Sequence, residues 1–134
     1  MSGGLIPCEV ALDNLRVEDY DAVVFIGGPG ADGYYANQTA LGIAREAAAR
    51  HKVIAAIDTA PAILANAGVL RGVRATGYIS LREGMQQGGS HYTGNPVERD
   101  GLVITASGPL AVIPFANSIA GALQLEQPKT EKKP

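Results

Sequence analysis

Val53-Ile54-Ala55-Ala56-Ile57-Asp58-Thr59-Ala60-Pro61 runs five apolar residues straight into an acid, a threonine and a proline. An unbroken apolar run without polar alternation is the pattern of a strand buried on both faces, here read over 52–57. Pro61 stands where a first helical turn tolerates it, so 62–66 reads as a helix that Gly68 stops. Upstream, Val23-Val24-Phe25-Ile26 repeats the buried-strand pattern and ends on Gly27-Gly28-Pro29-Gly30. Asn37 then offers an N-cap for a helix over 38–50, whose Leu41, Ala44, Ala47 and Ala48 share one face. Strand, helix, strand, helix predicts a right-handed parallel βαβ unit.

Downstream, 74–78 reads as a third, shorter strand and 81–87 as a weak helical turn ended by Gly88-Gly89. The runs 96–99 and 102–106 flank Asp100-Gly101, a two-residue hairpin signal. A long amphipathic helix is expected over 109–125, kinked or delayed by Pro114 and capped by Ser107-Gly108-Pro109. Residues 1–126 are read as one domain and 127–134 (QPKTEKKP) as a disordered tail.

Composition closes several routes. The 134 residues allow one domain, and a net charge of −2 argues against a general nucleic-acid binder or a polybasic membrane-surface protein. No apolar run approaches the ~20 residues needed to cross a bilayer. Cys8 is the single cysteine, which rules out a disulfide framework and a four-cysteine zinc site. Two histidines give a metal centre little support, and no metal or cofactor is expected. Residues 1–4 show no signal-peptide pattern, so the expected home is a reducing cytoplasm.

Two features carry candidate chemistry. Gly28-Pro29-Gly30-Ala31-Asp32-Gly33 matches G-x-G-x-x-G after a strand, with Asp58 near the place of a ribose-binding acid. Against a dinucleotide cradle, residues 34–37 intervene before any helix starts and Pro29 removes an N–H donor. The second feature is Asp58 itself. Small residues around one polar side chain between strand and helix are the recipe for a nucleophile elbow. An ordinary helix N-cap explains the same spacing.

Read end to end, the chain resembles the ThiJ/PfpI superfamily, which includes the parkinsonism-associated deglycase and PfpI-type intracellular proteases. The resemblance rests on 19–28, on the elbow 53–61, on 64–76, and on 97–101 with 104–109, running in order from about Leu5 to Leu123. It implies a flavodoxin-like α/β fold of the class I glutamine amidotransferase type: a parallel sheet sandwiched by helices, in proteins that are generally dimeric or higher. It also implies a site built from an elbow cysteine, an oxyanion hole of backbone N–H groups, an N-terminal glutamate and often a histidine. Carried onto this sequence, the nucleophile position is Asp58 and the oxyanion N–H groups are those of Gly28 and Thr59. Thr59 also takes the place of the protease branch's histidine, Tyr78 that of the deglycase branch's, and His91 falls in a loop motif.

Two departures stand out. Asp58 replaces the cysteine, and a carboxylate cannot perform hemithioacetal chemistry. The family's opening βαβ unit, with its glutamate, has no counterpart before Asp21, where Glu9, Asp13, Glu18 and Asp19 do not match it. Cys8 reads as a structural thiol and His51 as a helix-end cation. Two function classes follow. One is a catalytically silent binding or oligomerisation module, whose Asp58 imitates the charge of an oxidised cysteine. The other is a hydrolase, deglycase, glyoxalase or peptidase-like enzyme that uses Asp58 as nucleophile or base. Expected partners are a second copy of the chain and a small carbonyl compound or peptide. The strand at 23–27 is expected to stand at an open sheet edge, where association begins.

Overall fold

The structure, a computed structural model, describes residues 14–27 and 35–125. Its frame is a four-stranded sheet of β1 (Ala22–Ile26), β2 (Val53–Ile57), β6 (Val103–Ala106) and β5 (Val97–Asp100), in that spatial order. The first three strands are parallel and β5 runs antiparallel to β6, so the sheet is parallel-dominant. Helices α1 (Gln38–Ala49), α2 (Pro61–Asn66) and α3 (Arg82–Gln87) follow along the chain, and α4 (Val112–Leu125) is the last described element.

The register shows why β2 is the apolar run. All five of its residues are buried, because β1 and β6 pair with it on either side and helices cover both faces. Ile54 and Ala56 point into a core shared with Leu41, Ala44 and Ala47 of α1 and with Ile63 and Leu64 of α2. Val53, Ala55 and Ile57 point the other way, into a core with Ile104, Ala106 and Phe115. Alternation along the strand thus feeds two apolar layers from one segment.

Helix ends follow their local chemistry. The Asn37 side chain accepts from the Ala40 N–H at 3.0 Å, which caps α1 as expected. The helix ends in a Schellman turn, with His51 N–H on the Ala48 carbonyl and Lys52 N–H on that of Ala47. His51 takes the left-handed position of that turn, φ +57°, a place glycine more often fills. Gly68, φ +81°, fills the same position after α2.

Four local expectations change. The third strand, read over 74–78, is only β3 (Arg74–Ala75), and it pairs in parallel with β4 (His91–Tyr92) in a separate small sheet. The hairpin turn is Gly101-Leu102 rather than Asp100-Gly101, because Asp100 still pairs with Val103. Gly101, φ +64°, takes the first central position, which requires a glycine there. A 3₁₀ turn, Pro109–Ala111, precedes α4, so Pro114 lies in the first α-helical turn and removes an N–H that had no partner to lose. Ser107 caps nothing: its N–H goes to the Pro96 carbonyl, and no side chain caps the 3₁₀ turn.

Among the described residues, β1 is the outer strand of the sheet. Ala22, Val24 and Ile26 share the face of Val53, Ala55 and Ile57, yet Val24 and Ile26 are exposed. Cys8, Gly28–Gly33 and the 127–134 tail lie outside the described residues, and with them the tail and domain-boundary expectations.

Candidate functional site

Four segments meet at the C-terminal end of β2. Asp58 follows Ile57 with φ +67°, a left-handed conformation that non-glycine residues avoid and that Asp tolerates better than most. Its main chain is held on both sides. The Asp58 N–H donates to the Ala106 carbonyl at 3.0 Å, and its carbonyl accepts the Tyr78 N–H at 2.8 Å. Turns then lead into α2, with Ala60 N–H on the Ile57 carbonyl and Ile63 N–H on that of Ala60. The residue flanking α2 is Ala60, and no side chain caps that helix. Asp58 is therefore the strained corner of a strand-to-helix turn, not an N-cap.

Gly27 and Gly108 bracket that corner. A Cβ on Gly27 would lie 2.5 Å from Thr59 Oγ1 and 2.6 Å from the Thr59 and Ala60 nitrogens. Only a residue without a side chain lets the end of β1 approach the elbow backbone this closely. The position of a Cβ on Gly108 is 3.6 Å from Asp58 Oδ1, so the loop after β6 lies against the carboxylate. Sequence reading singled out neither glycine: Gly27 lay hidden in a glycine run, and Gly108 in what resembled a helix cap.

The predicted site residues separate on this geometry. Asp58 and Thr59 form the corner, both half-buried. Tyr78 is brought beside Asp58 through main chain alone, while its ring is exposed. Gly28 lies outside the described residues. Neither histidine joins the corner: His51 precedes β2, at the opposite end of the strand from Asp58, and His91 pairs with Arg74 in the small sheet. Among the described residues, no three His, Cys, Asp or Glu side chains group as metal ligands. Helix α1 begins at Gln38, and the 28–33 glycine motif lies outside the described residues.

Beneath the elbow, a buried polar pair ties the small sheet to the large one. The Thr76 N–H donates to Thr105 Oγ1 at 2.9 Å, and both residues are fully buried. Tyr92 adds its hydroxyl, which donates to the Gly77 carbonyl at 3.0 Å. Thr76 Oγ1, by contrast, is buried without a hydrogen-bond partner. Opposite outcomes follow from one isosteric change. Thr105→Val leaves the Thr76 N–H orphaned and is expected to cost about 2 kcal/mol. Thr76→Val removes an unpaired hydroxyl and is expected to be neutral or to stabilise by up to about 1 kcal/mol. Urea melts of the two variants check the pair, and equal losses would contradict the assignment.

The DJ-1/PfpI family model matches residues 1–122. An uncharacterized protein of Methanocaldococcus jannaschii is 37% identical over 112 residues, covering 81% of this chain and 55% of that protein. Deglycase PfpI of Pyrococcus furiosus is 31% identical over 107 residues, covering 80% and 64%. The chain thus spans between half and two thirds of the length of these relatives. Among solved structures, a ThiJ/PfpI domain protein from Brachyspira murdochii superposes with a TM-score of 0.88 at 27% identity, over 92% of this chain and 71% of that one. Drosophila melanogaster DJ-1beta gives 0.73 at 32% identity, over 80% and 59%. The elbow, its bracketing glycines and the parallel-dominant sheet stand within a matched stretch of 122 residues, and the chain belongs to the DJ-1/PfpI family.

Proposed function

We propose that this chain is a family member that does not run thiol chemistry and serves instead as a binding module centred on Asp58. The observation that supports this reading is the residue at the corner. Asp58 holds the strained φ of +67° at the position that, by resemblance, carries the family's nucleophilic cysteine. A thiolate adds to a carbonyl carbon and leaves by the reverse step. A carboxylate is a far weaker nucleophile and needs a base to make water attack in its place. His51 and His91 stand elsewhere in the fold, so no imidazole serves that role.

The competing reading, a hydrolase or deglycase working through Asp58, draws on the relatives named deglycases. Methylglyoxal consumption separates the two. The wild-type chain is expected to show no turnover above buffer, and Asp58→Asn to behave the same. Asp58→Cys is the informative variant. If the Thr59 N–H still serves as an oxyanion donor, the new thiol is expected to give measurable consumption, since one such donor contributes about 10²-fold or more in rate. Turnover by the wild type that Asp58→Asn abolishes would reverse the assignment and make Asp58 catalytic.

A further inference from the structure

Thr76-Gly77-Tyr78 belongs to no strand or helix, yet its hydrogen bonds reach three separate parts of the fold. The Thr76 N–H donates to Thr105 Oγ1 of β6 at 2.9 Å. The Gly77 carbonyl accepts the Tyr92 hydroxyl of β4 at 3.0 Å. The Tyr78 N–H donates to the Asp58 carbonyl at 2.8 Å. This strap is also pressed against Leu81 and against Pro61, the first residue of α2. A Cβ on Gly77 would lie 3.1 Å from Leu81 Cδ1 and 3.2 Å from Pro61 Cγ. Pro61 is fully buried, so the strap has a firm wall behind it.

The left-handed corner depends on that strap. Among the described residues, two main-chain bonds hold Asp58: its N–H to the Ala106 carbonyl, and the Tyr78 N–H to its own carbonyl. They differ in rigidity. Ala106 is fully buried and sits in the ladder between Ile57 and Val97. Tyr78 stands in no ladder, and its ring is exposed. The strap is therefore the half of the clamp that can give way, and the Tyr92 hydroxyl holds its middle residue. A left-handed backbone at a residue with a side chain is disfavoured by roughly five- to thirty-fold, toward the lower end for Asp. One neutral hydrogen bond is worth roughly two- to twelve-fold in an equilibrium. Losing a single bond from the strap thus shifts the balance at Asp58 without unfolding the sheet. We propose that Tyr92 is a positioning residue for the elbow. Its hydroxyl, reaching over from the small sheet, fixes the strap that keeps Asp58 left-handed. The coupling element has two states, Asp58 held or relaxed, and the small sheet biases them. This concerns the shape of the corner and holds whether Asp58 binds or reacts.

Tyr92→Phe tests the assignment, because it keeps the ring that packs on the core cluster and removes only the hydroxyl. Relaxation dispersion at the Asp58 and Tyr78 amides of the full chain measures the relaxed population. That population is expected to rise by roughly two- to twelve-fold over wild type, the worth of the lost bond. Ser90→Ala is the control for a merely structural role. The Ser90 hydroxyl donates to the Val73 carbonyl at 3.2 Å, so this variant removes a similar bond beside the small sheet without touching the strap. It is expected to leave the Asp58 and Tyr78 amides as they are in wild type. Gly77→Ala disturbs the strap from its other side, against Pro61 and Leu81, and is expected to shift the same two amide resonances. An unchanged relaxed population in Tyr92→Phe overturns the proposal. So does an equal rise in Ser90→Ala, which would mean that any loosening of the small sheet reaches the elbow and that the Tyr92 hydroxyl has no particular part in it.

Discussion

Gly27→Ala is expected to cost about 3 kcal/mol of folding stability, roughly a 10 °C drop in melting temperature for a chain of this size. The new methyl would stand 2.5–2.6 Å from Thr59 Oγ1 and from the Thr59 and Ala60 nitrogens. Two of those three atoms are backbone, which cannot rotate away as a flexible side chain does. Relief requires the end of β1 to retreat from the elbow. That movement strains the Gly27 N–H bond to the Ile57 carbonyl, 3.1 Å long, and disturbs the corner itself. A control isolates the cause. Gly42 in α1 has nothing within 4 Å of its would-be Cβ, so Gly42→Ala is expected to stabilise by about 0.5–1 kcal/mol through helix propensity. The same substitution thus changes sign between two glycines. Thermal melts of both variants decide the matter, and a Gly27→Ala protein as stable as wild type would remove the close approach from the account.

That glycine also marks the boundary of what the sequence shows. The elements from β1 to α2 were legible because their signals are local: apolar runs, an Asn cap, a proline at a helix start, a glycine at its end. β3 was not legible, because its fate is decided by groups far along the chain. The Thr76 N–H is taken by the Thr105 side chain and the Tyr78 N–H by the Asp58 carbonyl, so the strand stops after Ala75. The hairpin turn moved by one residue for a similar reason. Asp100 Oδ2 accepts the Arg74 N–H at 3.0 Å, so its side chain serves the neighbouring strand while its backbone stays in the ladder.

At the site, residue types were legible but the conformation was not. Small residues around an acid between strand and helix describe an N-cap and an elbow equally well. The φ of Asp58 separates them, and it is set by the Ala106 carbonyl and the Tyr78 N–H, 48 and 20 residues along the chain. Resemblance supplied the elbow reading from motif order. Geometry then supplied Gly27 and Gly108, which no motif had singled out.

Ile54→Ala is expected to be the most damaging single truncation in the chain, about 3.5 kcal/mol. Ile54 is 1% exposed in β2, an inner strand of the sheet, and packs in one cluster with Leu64 and Leu70, which are equally buried. Its backbone is fixed from both sides, by Val23 of β1 and Val103 of β6 in the register. The surrounding layers cannot collapse into the space left by the missing atoms without breaking that ladder. A cavity therefore remains, and its cost adds to the lost transfer free energy. One strand away, Val24 is 41% exposed at the sheet edge. Val24→Thr keeps the β-branched shape and is expected to change stability by no more than about 0.5 kcal/mol. Equilibrium urea denaturation of the two variants measures the contrast between the centre and the edge of the same sheet. Comparable losses would mean that β1 is covered on its exposed face. A loss below about 1 kcal/mol in Ile54→Ala would mean that the two apolar layers relax together, against the rigid ladder that holds the Asp58 corner in its strained conformation.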